Sequence, residues 1–516
     1  MTEFDVIVVG AGPGGSIAAR TSQLLGLNSI VIERGITPGD KNVSGCALSP
    51  KLWRDFDFME QMNLPYRSAK MATIHFVNEQ NIEKSNISFS PPDSKEYNYE
   101  KSMEFLTINV YRSDFDQWLA KLATKEGAEL RTSSLMSDLL YDNNNKIQGI
   151  ILDDGTEITG KIIIGADGVV STVAKVSGLR KKWNPDQLAW MVHYDYQADK
   201  ENIDKVIGNN ALHYWYSASF PVGYSFFNLE GYHIGLGSII SHVNKNYAPD
   251  ILLKKLLEVE GIKRQIELTN GERREYQAHM FPMIRDWENI YTDNIMLIGD
   301  AAGIACPFEA EGVYYAMLSG QIAAQVAEKS IKKNNTSKRF LKLYDIALRN
   351  SYIGEEFQFG PSINGFVNDI AFNYEAGKWV VPFVNDILYG LCNVAESHIS
   401  NARNLENRIK KYYRPLYNAI INDFSPMVDA VFQPQVRKSI SIIDEPLKRV
   451  GIKTLPILAL IIGKNLTNYQ PETLRYLSQY FLKPLLKARK VNYPKIQVKY
   501  KNKLEDLGKL MGDEYE

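Results

Sequence analysis

Three separated clusters carry residue types at spacings that suit chemistry on phosphates and sugar hydroxyls. The first is Gly10-Ala11-Gly12-Pro13-Gly14-Gly15, a Gly-x-Gly-x-x-Gly run directly after the β-branched stretch Val6-Ile-Val-Val9. Gly10 permits a tight turn, Gly12 lets a pyrophosphate approach the backbone, and Gly15 allows a helix to pack close to the strand. The helix start then offers free N–H groups and a positive dipole end to the anion. Glu33, 23 residues beyond Gly10, stands where an acid can accept from a ribose hydroxyl. The second cluster is Gly165-Ala-Asp167-Gly168, and the third is Gly299-Asp300 followed by a helix that starts near Gly312. That helix start suits a developing negative charge, and Glu311 lies beside it.

These residues need elements to hold them. Ser29-Ile-Val-Ile reads as a second buried strand ending on Glu33 and Arg34, and the polar loop Arg34 to Pro50, with Gly45 and Cys46, is expected to cross a bound cofactor. Tyr111-Arg112-Ser113-Asp114 opens a helix with Ser113 as its expected N-cap, and Phe115, Trp118, Leu119 and Leu122 fall on one face. Arg112 sits just ahead of that cap, within reach of a cofactor. Lys161-Ile-Ile-Ile-Gly165 and Asn294-Ile-Met-Leu-Ile-Gly299 read as strands returning to the same parallel sheet. Residues 70–108 and 181–290 are strand-like and aromatic, which predicts a mostly antiparallel sheet over the ligand. His233 and His279 read as core or strand histidines, and no His/Cys/Asp spacing points to a metal.

With 516 residues the chain is expected to form two or three domains. Apolar residues make up 45% and charged residues 23%, a globular balance, and a net charge of −1 gives no call for nucleic acid. Three scattered cysteines build neither a disulfide framework nor a four-cysteine cluster. No basic-then-apolar leader precedes the first strand, and no apolar run reaches about 20 residues. The expectation is a peripheral protein on the cytoplasmic side of a membrane. The apolar Leu455–Gly463 stretch, and eight basic residues without an acid between Leu482 and Lys503, suit an anionic surface.

Together the three clusters resemble the FAD-dependent oxidoreductases of the aromatic-hydroxylase-like superfamily, over about residues 4 to 335. The resemblance implies FAD as cofactor and an α/β fold: a Rossmann-like FAD-binding domain, an inserted antiparallel β-sheet substrate domain and a mainly helical C-terminal extension. The implied boundaries are 1–70 with 105–180 and 290–335 for the first, 71–104 with 181–289 for the second, and 336–516 for the third. It places Glu33 on the adenosine ribose, Arg112 near the ribose or pyrophosphate, Asp300 on the ribitol, and Gly312 at the pyrimidine end of the flavin. Within this superfamily, Gly39-Asp-Lys-Asn-Val-Ser-Gly-Cys46-Ala-Leu-Ser-Pro50 is similar to a loop of the electron-transfer flavoprotein:quinone oxidoreductases.

That branch implies electrons passing from an electron-transfer flavoprotein to a membrane quinone. The chain lacks the four cysteines of the longer members, so a separate ferredoxin-like iron–sulfur subunit is the expected partner. The related geranylgeranyl reductases are the rival, implying saturation of isoprenoid chains with Cys46 or Tyr216 as proton donor. Tyr216-Ser-Ala-Ser-Phe-Pro221 is similar to their Tyr-x-Trp-x-Phe-Pro motif, with Ala218 in place of the Trp, and their Pro-Cys-Gly loop is not reproduced at Cys46. A flavin monooxygenase is a third possibility. Glu311 completes the candidate catalytic groups.

Overall fold

The computed structural model describes residues 3–40, 47–91, 105–217, 219–284, 286–306 and 310–358, with 380, 381 and 384. Gly45, Cys46, Ala218, the Pro307–Glu309 crossing, both membrane-surface stretches and nearly all of the C-terminal extension lie outside the described residues.

The Phe4–Val9 strand lies at the centre of an eight-stranded sheet. Its apolar run leaves no solvent face, and a parallel sheet with both faces covered accommodates that. It pairs in parallel with Ser29–Ile32 on one side and Glu157–Gly165 on the other, and Glu157–Gly165 pairs in parallel with Ile295–Leu297. The register sets Val9 against Gly165, and Gly165 against Leu297. All three glycine-bearing turns therefore leave the sheet at one edge, which is where ligands bind in open parallel sheets.

The Pro13–Leu24 helix packs against Val313–Lys332. Contact is close because both helices carry glycine there: a Cβ on Gly320 would overlap the Gly14 carbonyl oxygen, and a Cβ on Gly14 would stand 2.9 Å from the Ala316 carbonyl oxygen. The Arg112–Lys125 helix starts two residues earlier than expected. Tyr111, not Ser113, occupies the capping position, and its carbonyl accepts from Phe115 N–H at 3.0 Å, the first bond of the helix.

A seven-stranded sheet takes its strands from two separate parts of the chain, in the order Glu272–Pro282, Leu188–Gln197, Gly231–Ile239, Gly223–Phe227, Asn210–Ser217, Met71–Val77, Glu83–Phe89. It is antiparallel except where Asn210–Ser217 meets Met71–Val77, a parallel pair that joins the two insertions. Helices Lys200–Ile207, Pro249–Leu257 and Glu260–Thr269, which the sequence reading did not isolate, pack their apolar faces into this sheet's core. The fold is a Rossmann-like α/β nucleotide-binding unit with an additional sheet. Among the described residues no helix is long and apolar enough to cross a membrane.

Candidate functional site

The three turns open into one cavity of about 360 Å³. Gly10 adopts φ +103°, a conformation that side chains resist, and a Cβ there would overlap the Ala166 carbonyl oxygen. A Cβ on Gly15 would overlap the Gly10 carbonyl oxygen, so strand and helix meet as closely as the glycine spacing implied. Gly12 is different: a Cβ there meets nothing within 4 Å, because it faces the open cavity. That gap at the N-terminus of the Pro13–Leu24 helix is the cradle an anionic group requires.

Most of the sequence-derived site residues meet here. Gly10, Gly12, Pro13, Gly14, Glu33, Arg34, Arg112, Asp167, Gly168, Gly299, Asp300 and Gly312 all line the cavity. Ala11 and Gly15 stand behind it and shape the turn. The Glu33 Oε2 accepts from Ala11 N–H at 2.8 Å and its Oε1 accepts from Gly35 N–H at 2.7 Å, so the turn and the next loop hold the carboxylate in place. Arg112 donates twice to Asp116, at 2.9 Å each, and Asp116 is fully buried. This fork fixes the guanidinium at the cavity wall.

Asp167 accepts from the Ser171 hydroxyl at 2.6 Å and from Val173 N–H at 3.0 Å, at the start of a short helix, while burial pushes its carboxyl upward. Asp300 is pushed up to about 6 because the cavity walls desolvate it; the Arg112 charge acts in the opposite direction. A Cβ on Gly312 would stand 3.3 Å from Asp300 Oδ1, so the third turn and its helix start adjoin.

The proposed catalytic groups are less concentrated. Glu311 stands one residue ahead of the Gly312 cap, and its Oε1 accepts from Tyr314 N–H at 2.8 Å, which satisfies a free N–H at the helix start. Tyr216 is not among the residues that line the cavity. It stacks on Phe76 with ring centroids 5.9 Å apart, and burial pushes its hydroxyl up to about 12.

The covering sheet supplies residues that the sequence reading passed over. Met191, His193, Tyr224 and Phe281 line the cavity, and so does His279, which the sequence presented as a core or strand histidine. Burial and the charges of Arg112 and Arg34 lower His279 to about 4, which keeps it neutral near pH 7. These residues sit on three strands with no motif around them, so only the fold brings them together.

His193, Asp195 and His233 also gather, with ligand-capable atoms within 4.8 Å, although nothing in their spacing announced it. His233 Nδ1 lies 2.5 Å from Asp195 Oδ1. Ligands that share a tetrahedral ion stand about 3 Å or more apart, so the group is a hydrogen-bonded chain.

A family model described as "FAD binding domain" matches residues 3–321. The chain belongs to the FAD-binding domain family. It is 30% identical over 355 residues to digeranylgeranylglycerophospholipid reductase of Methanocaldococcus jannaschii, covering 66% of this chain and 81% of that one. It is 26% identical over 368 residues to protein FixC of Azorhizobium caulinodans, covering 68% and 82%. A geranylgeranyl bacteriochlorophyll reductase-like structure from Thermoplasma acidophilum superposes with a TM-score of 0.63 at 21% identity, over 81% of this chain and 98% of that one, which is a likeness of fold. This FAD-binding chain is an FAD-dependent oxidoreductase of the geranylgeranyl reductase-related superfamily, and FAD is its cofactor. The open cradle at Gly12, the fixed Glu33 carboxylate and the Asp300–Gly312 end fit that dinucleotide.

Proposed function

We propose that this oxidoreductase takes electrons from an electron-transfer flavoprotein, through a separate ferredoxin-like iron–sulfur subunit, and passes them to a membrane quinone. Bound FAD supplies one- and two-electron transfer, and the chain's residues hold and tune it. In this reading Glu33 accepts from the adenosine ribose, Gly12 to Gly14 receive the pyrophosphate, and Arg112 neutralises part of its charge. Asp300 binds the ribitol, and the helix start at Gly312 faces the ring where negative charge develops. The domain boundaries given above divide the work: one body binds the cofactor, the sheet of 71–104 with 181–289 covers the acceptor, and 336–516 meets the partner and the membrane surface.

The observation that carries the quinone reading is the character of the covering wall. It presents His193, Tyr224 and His279, polar groups suited to ring oxygens, while Tyr216 is stacked on Phe76 away from the lining residues. A prenyl-chain reductase is the second reading, favoured by the 30% identity to digeranylgeranylglycerophospholipid reductase. The deciding experiment gives the purified holoprotein reduced electron-transfer flavoprotein, with and without a ferredoxin-like partner, and a short-chain quinone. Quinol formation is the expected result. Absence of quinol, together with saturation of geranylgeranyl lipids seen by mass spectrometry, overturns it in favour of the second reading.

A further inference from the structure

A line of polar side chains crosses the covering sheet from the cofactor cavity to a second pocket. Tyr224 and His193 line the cofactor cavity. Asp195 and His233 line a separate pocket of about 200 Å³, with Tyr111, Tyr196, Glu230, Tyr232 and Arg274 as the other titratable or charged groups facing it. The Tyr224 hydroxyl is 3.3 Å from His193 Nδ1. His193 Nε2 is 3.2 Å from Asp195 Oδ1 and 3.0 Å from Gln277 Oε1. His233 Nδ1 is 2.5 Å from the same Asp195 oxygen.

Hydrogen positions follow from the partners. The Gln277 amide nitrogen donates to Glu275 at 3.1 Å, which orients its oxygen toward His193. Nε2 therefore faces two acceptors and carries the hydrogen, and Nδ1 accepts from Tyr224. Exposure rises from the His193 side chain, at 1%, to the Asp195 side chain, at 23%, and the His233 side chain behind it is 4% exposed. At the far end Asn228 Nδ2 is 2.9 Å from His233 Nε2, while the buried Asn228 Oδ1 has no partner among the described residues. Turning that amide over gives an acceptor to a protonated His233.

Gly235 makes the inner contact possible. A Cβ there would stand 2.5 Å from His193 Cβ, 2.5 Å from the Val192 carbonyl oxygen and 2.6 Å from the Tyr224 hydroxyl oxygen. The phenol crosses the Gly231–Ile239 strand over a residue without a side chain. The Val192 carbonyl and this crossing together exclude a side chain at Gly235.

We propose that Tyr224, His193 and Asp195, with His233 behind them, form a relay that exchanges a proton between a ligand in the cofactor cavity and solvent in the second pocket. The inference rests on reading the first cavity as a redox site. In the outward sense the Tyr224 oxygen takes a proton from the ligand as its own proton passes to His193 Nδ1. The Nε2 proton then moves to Asp195 and on to water. Each N–H or O–H bond broken is matched by one formed, and no electrons move along the chain. The reverse sequence supplies a proton to a reduced acceptor. Asp195 holds its proton only in passing, because hydrogen bonds from both histidines keep its carboxyl below the ordinary range despite burial.

The test uses full-length holoprotein, wild type and the variants Y224F, D195N and G235A. Histidine-¹⁵N NMR is expected to show Nδ1 of His193 as a hydrogen-bonded acceptor in wild type. Y224F shifts that resonance and leaves Nε2 unchanged, D195N shifts Nε2, and G235A, whose methyl meets His193 Cβ, shifts both. Bound FAD is then reduced by rapid mixing with methyl viologen radical, a one-electron donor whose oxidation releases no proton, and an indicator dye follows proton uptake. Y224F and D195N are expected to slow uptake about tenfold or more with unchanged flavin content. Wild-type uptake rates in Y224F, or an unshifted His193 Nδ1 in Y224F, overturn the relay. Neither measurement uses the physiological donor or acceptor, so failure of the quinone reading leaves both intact. If D195N or G235A does not fold, Y224F still decides the outcome.

Discussion

Asp300 is the residue whose charge the fold works against. Its folded value of about 6 lies above the ordinary 3.8 because the surrounding protein replaces water. Below pH 4 both folded and unfolded chains hold the proton, and the site costs nothing. Between about 4 and 6 the unfolded chain releases the proton first, so stability falls as pH rises, and it levels off above 6. The loss is on the order of 2–3 kcal/mol. FAD-stripped D300N is expected to lack this slope in thermal melts from pH 4 to 7, and to melt higher than wild type at pH 7. At the other end of the cavity, Gly12→Val fills the open cradle. Flavin content after dialysis is expected to collapse, with at least about 100-fold weaker binding, roughly 2.7 kcal/mol, and an unchanged circular dichroism spectrum.

At the scale of elements, the site depends on how closely two helices approach. Pro13–Leu24 delivers its N-terminus to the cavity, and Val313–Lys332 presses on it through Gly14 and Gly320. A side chain at 320 would overlap backbone, which a rotamer change does not relieve. Gly320→Ala is expected to destabilise the protein by about 1–3 kcal/mol, read as a lowered denaturation midpoint. Gly26→Ala is the contrasting control. It meets no neighbour within 4 Å, so its cost is confined to the strain of φ +79°. The Arg112 helix makes a similar point. Its early start at Tyr111 puts the guanidinium one turn from Asp116, and the fork between them sets its direction.

For the whole molecule, the cavity is a junction. Its walls come from residues near 10, 33, 112, 167, 193, 224, 279, 300 and 312, spread across both sheets. A ligand that touches all of these ties the nucleotide-binding sheet to the covering sheet. Binding to the folded state alone adds about 2.7 kcal/mol when free FAD is 100 times its dissociation constant. Adding FAD to the stripped protein is therefore expected to raise the melting midpoint. It is also expected to slow proteolysis in both sheets together; protection confined to the Phe4–Val9 sheet would show that the covering sheet makes no contact with the cofactor.

Local rules, acting within a few residues, were enough to read the cofactor end from the sequence. A β-branched run followed by Gly-x-Gly-x-x-Gly can satisfy its backbone as little else than strand, turn and helix, and the same grammar recurs at Gly165 and Gly299. The parallel sheet and most of the turns that line the cavity followed from that, and FAD followed from the family resemblance that the three turns carry. The covering wall was not legible, because His193, Tyr224 and His279 come from three strands whose meeting depends on sheet order and register. Nor could spacing show that Tyr216 stacks on Phe76, or that Gly235 opens a crossing for a phenol from the next strand. Phosphate binding needs one loop and one helix start, both written contiguously. The chemistry opposite it needs side chains from strands far apart in the chain, and only tertiary pairing sets those distances.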